Sequence, residues 1–158
     1  MSVNLYIHVN QTVRATPRQV RDELLKHENL DRFFNAKFQI KAPSPPSELA
    51  GGVNTIRTVK IGPVTFDEVI TGVTDELITY SVVGDAPVKN HTGTIKLNIY
   101  KGHCKVDYII RCESNAWIPS FILEYFVIRD IKSAMFKLAN YFEYKFEHSL
   151  ERGNSREN

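Results

Sequence analysis

The sequence has only two cysteines, one tryptophan and two methionines, with no block of one charge sign and no long apolar run. Each shortage excludes something. Cys104 and Cys112 fall within one continuous strand pattern, where eight steps of about 3.3 Å set them roughly 26 Å apart, far beyond disulfide reach. They read as reduced thiols, which fits a cytoplasmic protein. Lys plus Arg number 20 and Asp plus Glu 18, a formal charge of +2, so no basic footprint favours nucleic acid as the partner. The longest apolar run, Trp117 to Ile128, covers about 12 residues and contains Pro119 and Glu124. A bilayer span needs roughly 18 to 20, so a transmembrane helix is excluded. Met1 leads directly into alternating Val3, Leu5, Ile7 and Val9, and no targeting segment is expected.

Motifs that hold ions or cofactors are also missing. The five histidines are His8, His27, His91, His103 and His148, and none stands in a metal-ligand spacing. His103 and Cys104 are adjacent on a strand and point to opposite faces. Gly51-Gly52 lacks the following helix that phosphate and dinucleotide loops require, and there is no nucleophile elbow. No metal, no cofactor and no catalytic set are therefore expected. General acid/base chemistry needs only one or two placed groups, and Glu68, Glu124 or His91 would suffice.

A chain of 158 residues supports one domain with one substantial core, expected here over residues 1–153 with 154–158 as a frayed tail. Period-two alternation makes Val3 to about Val13 a strand. Thr16, Pro17 and Gln19 form a capping box that starts a helix at Pro17, with Val20, Leu24 and His27 on one face. A second short helix, capped by Asn29, presents Leu30, Phe33 and Phe34. A short strand at Phe38 to Ile40 precedes a loop whose three prolines, Pro43, Pro45 and Pro46, preclude regular pairing. Strands follow over Val53–Ile61, Val64–Val73, Leu77–Val83, Thr92–Tyr100 and His103–Glu113. Gly62-Pro63 and Lys101-Gly102 are tight turns, and Gly84 to Asn90 is a longer connection. Past Pro119 the period changes to three and four, with Ile128, Ile131, Met135, Leu138, Ala139, Phe142 and Phe146 in one stripe. The resulting helix of about 33 residues would run some 50 Å to Gly153.

This order, with the segments His27 to Phe34, Gly51 to Arg57, Phe66 to Ile70 and Ile78 to Val82, resembles the START-like or SRPBCC superfamily over nearly the whole chain. It is most similar to small bacterial members described as polyketide cyclase/dehydrase or lipid-transport proteins. The resemblance implies an α+β helix-grip fold: a curved antiparallel sheet of about seven strands around a long C-terminal helix, with two short helices between the first and second strands. It also implies an apolar cavity between sheet and helix. It does not imply a reaction. The residues themselves require only that an apolar sheet face and an apolar helix stripe bury one another, around an interior either filled or hollow.

Polar residues on apolar faces are the candidate contacts. Glu124 lies four before Ile128 and seven before Ile131, so it belongs to the buried stripe unless the helix kinks near Pro119 and turns it to solvent. Glu68 shares a face with Phe66 and Ile70 but opposes Val69 and Val73, and Arg57 alternates with Val59 and Ile61. Either both point outward, or they form a buried pair, or they join Tyr80 and Tyr108 in facing a ligand. Phe121, Tyr125 and Ile128 complete the candidate ligand-binding set from the start of the helix. That start is apolar nearly all round, because Ile122, Leu123 and Phe126 lie off the stripe. The Pro-rich loop or the first helix is the expected cover. The alternatives are a homodimer contact, a gate for a hydrophobic ligand or a transient membrane-surface contact, for which Trp117 is suited. The expected function is binding or transport of a hydrophobic or amphipathic small molecule, such as a lipid, isoprenoid or polyketide-like compound, by a monomer or homodimer. A cyclase/dehydratase-type enzyme in the same cavity and a protein-interaction module are the alternatives.

Overall fold

The computed structural model describes residues 3–84, 89–114 and 119–155. In β1 (Val3–Val13), Leu5, Ile7, Val9 and Val13 are buried while Asn4, Tyr6, His8 and Asn10 face outward. The capping box is present at α1 (Pro17–Leu24): the Thr16 hydroxyl accepts from the Gln19 amide at 3.2 Å, and Gln19 Oε1 accepts from the Thr16 amide at 2.9 Å. α1 stops at Leu24. A separate 3-10 helix, His27–Arg32, starts two residues earlier than its expected cap at Asn29 and turns His27 into the interior.

Six further strands follow: β2 (Lys37–Ala42), β3 (Ile56–Ile61), β4 (Val64–Thr74), β5 (Leu77–Val83), β6 (Lys89–Tyr100) and β7 (His103–Ser114). β3 begins at Ile56 rather than Val53, because Asn54 adopts a φ of +70° that breaks extended backbone. The strands form one seven-stranded antiparallel sheet in the order β1-β7-β6-β5-β4-β3-β2. Each strand from β2 onward pairs with its successor, and β1 pairs with β7. The two edges are thus strands adjacent in sequence, linked by α1 and the 3-10 helix. This is the expected helix-grip arrangement, and α2 (Ser120–Asn154, 35 residues) supplies the gripped helix.

One pairing irregularity resolves the ambiguous face of β4. Between Ile70 and Gly72 the register with β5 shifts. Such a bulge reverses side-chain parity, so Glu68 and Ile70 are buried before it and Val73 packs against the core after it.

α2 is continuous, but its burial is not. Ile131, Ala134, Met135, Leu138 and Phe142 are buried, and no residue of the helix before Ile131 is. Phe121 is 70% exposed and Tyr125 62%, and Ile122 and Phe126 are exposed beside them. Neither the Pro-rich loop nor α1 covers this face. Trp117 and Ile118 lie outside the described residues, as do most of the Gly84 to Asn90 connection and the last three positions of the tail.

Gly93 is the glycine on which the interior depends. It pairs with Tyr80 across β5 and β6, and a Cβ added there would fall among the Tyr80 ring atoms. The ring lies across the bare backbone. Gly93→Ala is expected to lower the unfolding free energy in urea by about 1–3 kcal/mol through overpacking. In a Tyr80→Leu background the same change should cost measurably less, since the atoms it strikes are gone.

Candidate functional site

Between the sheet and α2 lies a cavity of about 150 Å³, walled mostly by apolar side chains such as Phe34, Phe38, Val59, Ile78, Ile95 and Ile110. Exposed Asn35 and Ile61 mark its mouth. Four candidate residues meet in its wall: Arg57, Glu68, Tyr80 and Tyr108. All four are buried.

Register explains the meeting. Arg57 and Glu68 are direct cross-strand partners on β3 and β4. They form the buried pair that the sequence left as one of three arrangements, with Nη2 to Oε2 at 2.7 Å and Nε to Oε2 at 2.8 Å. The guanidinium also lies over the Tyr80 ring at 4.9 Å and the Phe38 ring at 5.1 Å, so aromatic faces replace part of its lost hydration. Burial by itself would ease the proton off Arg57, but the Glu68 carboxylate outweighs it and holds the charge more firmly than usual. Tyr80 and Tyr108 share a hydrogen bond of 2.5 Å between hydroxyls. Burial raises both phenols, Tyr108 to about 12, so both stay protonated at neutral pH.

His27 extends this cluster. Arg57 Nη1 donates to His27 Nδ1 at 3.0 Å, and His27 Nε2 lies 2.7 Å from the Gly51 carbonyl. A guanidinium only donates and a carbonyl only accepts, so the imidazole is neutral with its proton on Nε2. Burial first, and the Arg57 charge second, push its pKa down to about 4. Gly51 is required where it stands. Its φ is +74°, and a Cβ would strike the Leu25 carbonyl.

His91 also lines the cavity, and among the described residues neither of its ring nitrogens has a hydrogen-bond partner although both are buried. It sits at a register shift of β6 between Lys89 and Thr92, beside Asn90 at a φ of +50°. Its ring packs edge-on to Tyr80 at 6.1 Å and against Phe66 at 6.4 Å. Burial is the main cause of its lowered pKa.

The remaining four candidates stand apart from this cavity. Phe121, Glu124, Tyr125 and Ile128 do not line the cavity, and α2 contributes Val127, Asp130 and Ile131 instead. Helix phase assigns Glu124 to the face of Ile131, but phase does not say whether anything lies opposite. Before Ile131 the helix buries nothing fully, so Glu124 and Ile128 are only half-buried and Phe121 and Tyr125 point to solvent. Cys104 and Cys112 are buried free thiols, with burial raising both and Cys104 to about 11. They are poor nucleophiles in that state. Among the described residues no cluster of His, Cys, Asp or Glu is arranged to hold a metal, and no helix is long and apolar enough to cross a membrane.

Fold and cavity together define a helix-grip protein, and solved structures carry the same fold. A putative uncharacterised protein from Bacillus thuringiensis superposes with a TM-score of 0.64 at 16% identity, covering 87% of this chain and 98% of that one. Ara h 8.0201 gives a TM-score of 0.68 at 13% identity, covering 90% of this chain and 99% of its own. No protein-family profile matches the sequence, and no curated protein does. At such identities the likeness is one of architecture.

His27 makes stability depend on pH. Its pKa is about 6.5 unfolded and about 4 folded, so the unfolded chain binds the proton more readily. The stabilisation is fully present above 6.5 and is lost as pH falls through the folded value. The gap corresponds to roughly 3 kcal/mol at full protonation. Urea unfolding is expected to weaken steadily from pH 6.5 to 4.5, above the main carboxylate range, and His27→Gln should flatten that slope. A slope unchanged by the substitution would assign the effect elsewhere.

Proposed function

We propose that this protein binds a small apolar or amphipathic molecule between its sheet and α2. The observation that carries the reading is the joining of an apolar cavity to a few convergent polar groups, the usual composition of a small-molecule site. Apolar burial supplies the affinity and the polar wall the orientation. Size narrows the ligand. About 150 Å³ holds roughly one benzene-sized ring, whereas pockets for larger ligands run from about 300 Å³. A long acyl chain or a multi-ring polyketide fits only after α2 moves.

A second reading, acid/base catalysis of cyclase or dehydratase type in the same cavity, draws on the unpartnered His91 nitrogens. Turnover of a recovered ligand separates the two. The finer proposal for partners is transient contact with a membrane surface, supported by exposed Phe121, Tyr125 and Phe126 on α2 beside exposed Arg129 and Lys132.

Titration with benzene, followed by backbone amide shifts, is expected to perturb the cavity wall. Thermal stability should rise by about 2.7 kcal/mol at a hundredfold excess over Kd. Val59→Phe, which fills the space, should abolish both effects; perturbations scattered over the surface would sink the cavity reading. For the membrane contact, wild type should co-sediment with phosphatidylserine-containing vesicles and Phe126→Asp several-fold less. Absence of binding by either removes that proposal.

A further inference from the structure

The polar wall of the cavity has unused hydrogen-bonding capacity of a particular kind. The Tyr80 and Tyr108 hydroxyls carry two hydrogens between them, and their mutual bond consumes one. One phenolic O–H is left to donate. A neutral imidazole offers one donor nitrogen and one acceptor nitrogen, and His91 spends neither on protein. Both groups border the same small space, with the Tyr80 and His91 rings 6.1 Å apart.

Charge is already matched here. The Arg57 guanidinium is neutralised by Glu68 at 2.7 Å, and His27 beside it is held in its uncharged form by its two partners. A ligand carboxylate would enter as a buried anion without its own counter-ion, near Glu68 and half-buried Asp130 in the same wall. A ligand cation would face Arg57. Either would lose most of its hydration without compensation.

From these observations we infer that the cavity selects an uncharged, ring-sized compound bearing a hydroxyl, which accepts from the tyrosine pair and donates to the free nitrogen of His91. The inference rests on the cavity being a ligand site. A hydroxyl both donates and accepts, so it satisfies both wall groups with one oxygen. A carbonyl or ether oxygen only accepts, so it can take the phenolic O–H and the imidazole N–H but leaves the acceptor nitrogen of His91 unpaired. The lowered pKa of His91 agrees with this, since a neutral ring is the one able to accept.

Calorimetric titration of the wild-type protein with benzene, phenol and benzoate tests it. In a cavity without polar partners the hydroxyl is a burden, and phenol binds more weakly than benzene. With both partners present, phenol is expected to bind about tenfold tighter than benzene, and benzoate more weakly than either. His91→Phe keeps a ring and removes both nitrogens; it should cancel the phenol advantage, bringing the ratio of phenol to benzene affinity to one or below. Phenol binding no tighter than benzene, or benzoate binding tightest, would overturn hydroxyl recognition with the apolar site intact. If none of the three binds, the ligand-site reading itself fails. The wild-type comparison needs no variant, so a misfolded His91→Phe protein does not rescue the proposal.

Discussion

The buried ion pair between Arg57 and Glu68 is the constraint around which the rest of this interior is arranged. A guanidinium withdrawn from water is tolerated only if its charge is matched and its N–H groups are occupied. Here Glu68 supplies the charge, His27 accepts one N–H, and the rings of Tyr80 and Phe38 cover the flat faces. Removing one partner exposes the others to the full desolvation cost, so the cluster behaves as a unit. Through His27 it reaches Gly51, and so ties the loop before β3 to the sheet. Through Tyr80 it reaches Tyr108 and, across the backbone of Gly93, the centre of the sheet.

A rigid polar wall built in this way has a consequence for the space beside it. Arg57, Glu68, His27, Tyr80 and Tyr108 are each hydrogen-bonded within the cluster, which opposes their relaxing inward to fill a gap. The apolar residues opposite pack against one another and leave about 150 Å³ between. The cavity is therefore not simply a packing failure of apolar side chains, which neighbours tend to relieve by collapsing. It is bounded on one side by groups whose hydrogen bonds would be broken by collapse.

Much of the fold was legible from periodicity, because alternation in β1 and β7 and the three-four spacing in α2 report burial on one face directly. The capping box at Thr16 and Gln19 was legible for the same local reason. What was hidden depends on pairing between distant segments. The inward face of Glu68 hinges on the bulge before Gly72, and its meeting with Arg57 on the β3–β4 register. His91 shares strand parity with Gly93, Ile95 and Leu97, a signal that was present but obscured by the irregular stretch before it. The candidates from the start of α2 lie off the cavity wall because helical phase alone does not bury a side chain. Phase orients a side chain, whereas burial requires a neighbour, and no residue of α2 before Ile131 is fully buried.

That difference between the two halves of α2 bears on the proposed ligand site. From Ile131 to Phe142 the helix is locked by buried side chains, and displacing it would cost several large transfer terms at once. Before Ile131 only half-buried side chains such as Val127 and Ile128 hold it to the core. The wall over the cavity is thus the cheaper one to move, and the sheet wall with its bonded cluster the more expensive. Under the proposed ligand-binding function, a ligand that exceeds one ring would meet its least resistance toward the first turns of α2, while its polar end would meet fixed partners on the sheet. On that reading discrimination by chemical group would reside in β3 to β7, and tolerance of size in α2, a division that follows from which contacts are hydrogen-bonded and which are merely apolar.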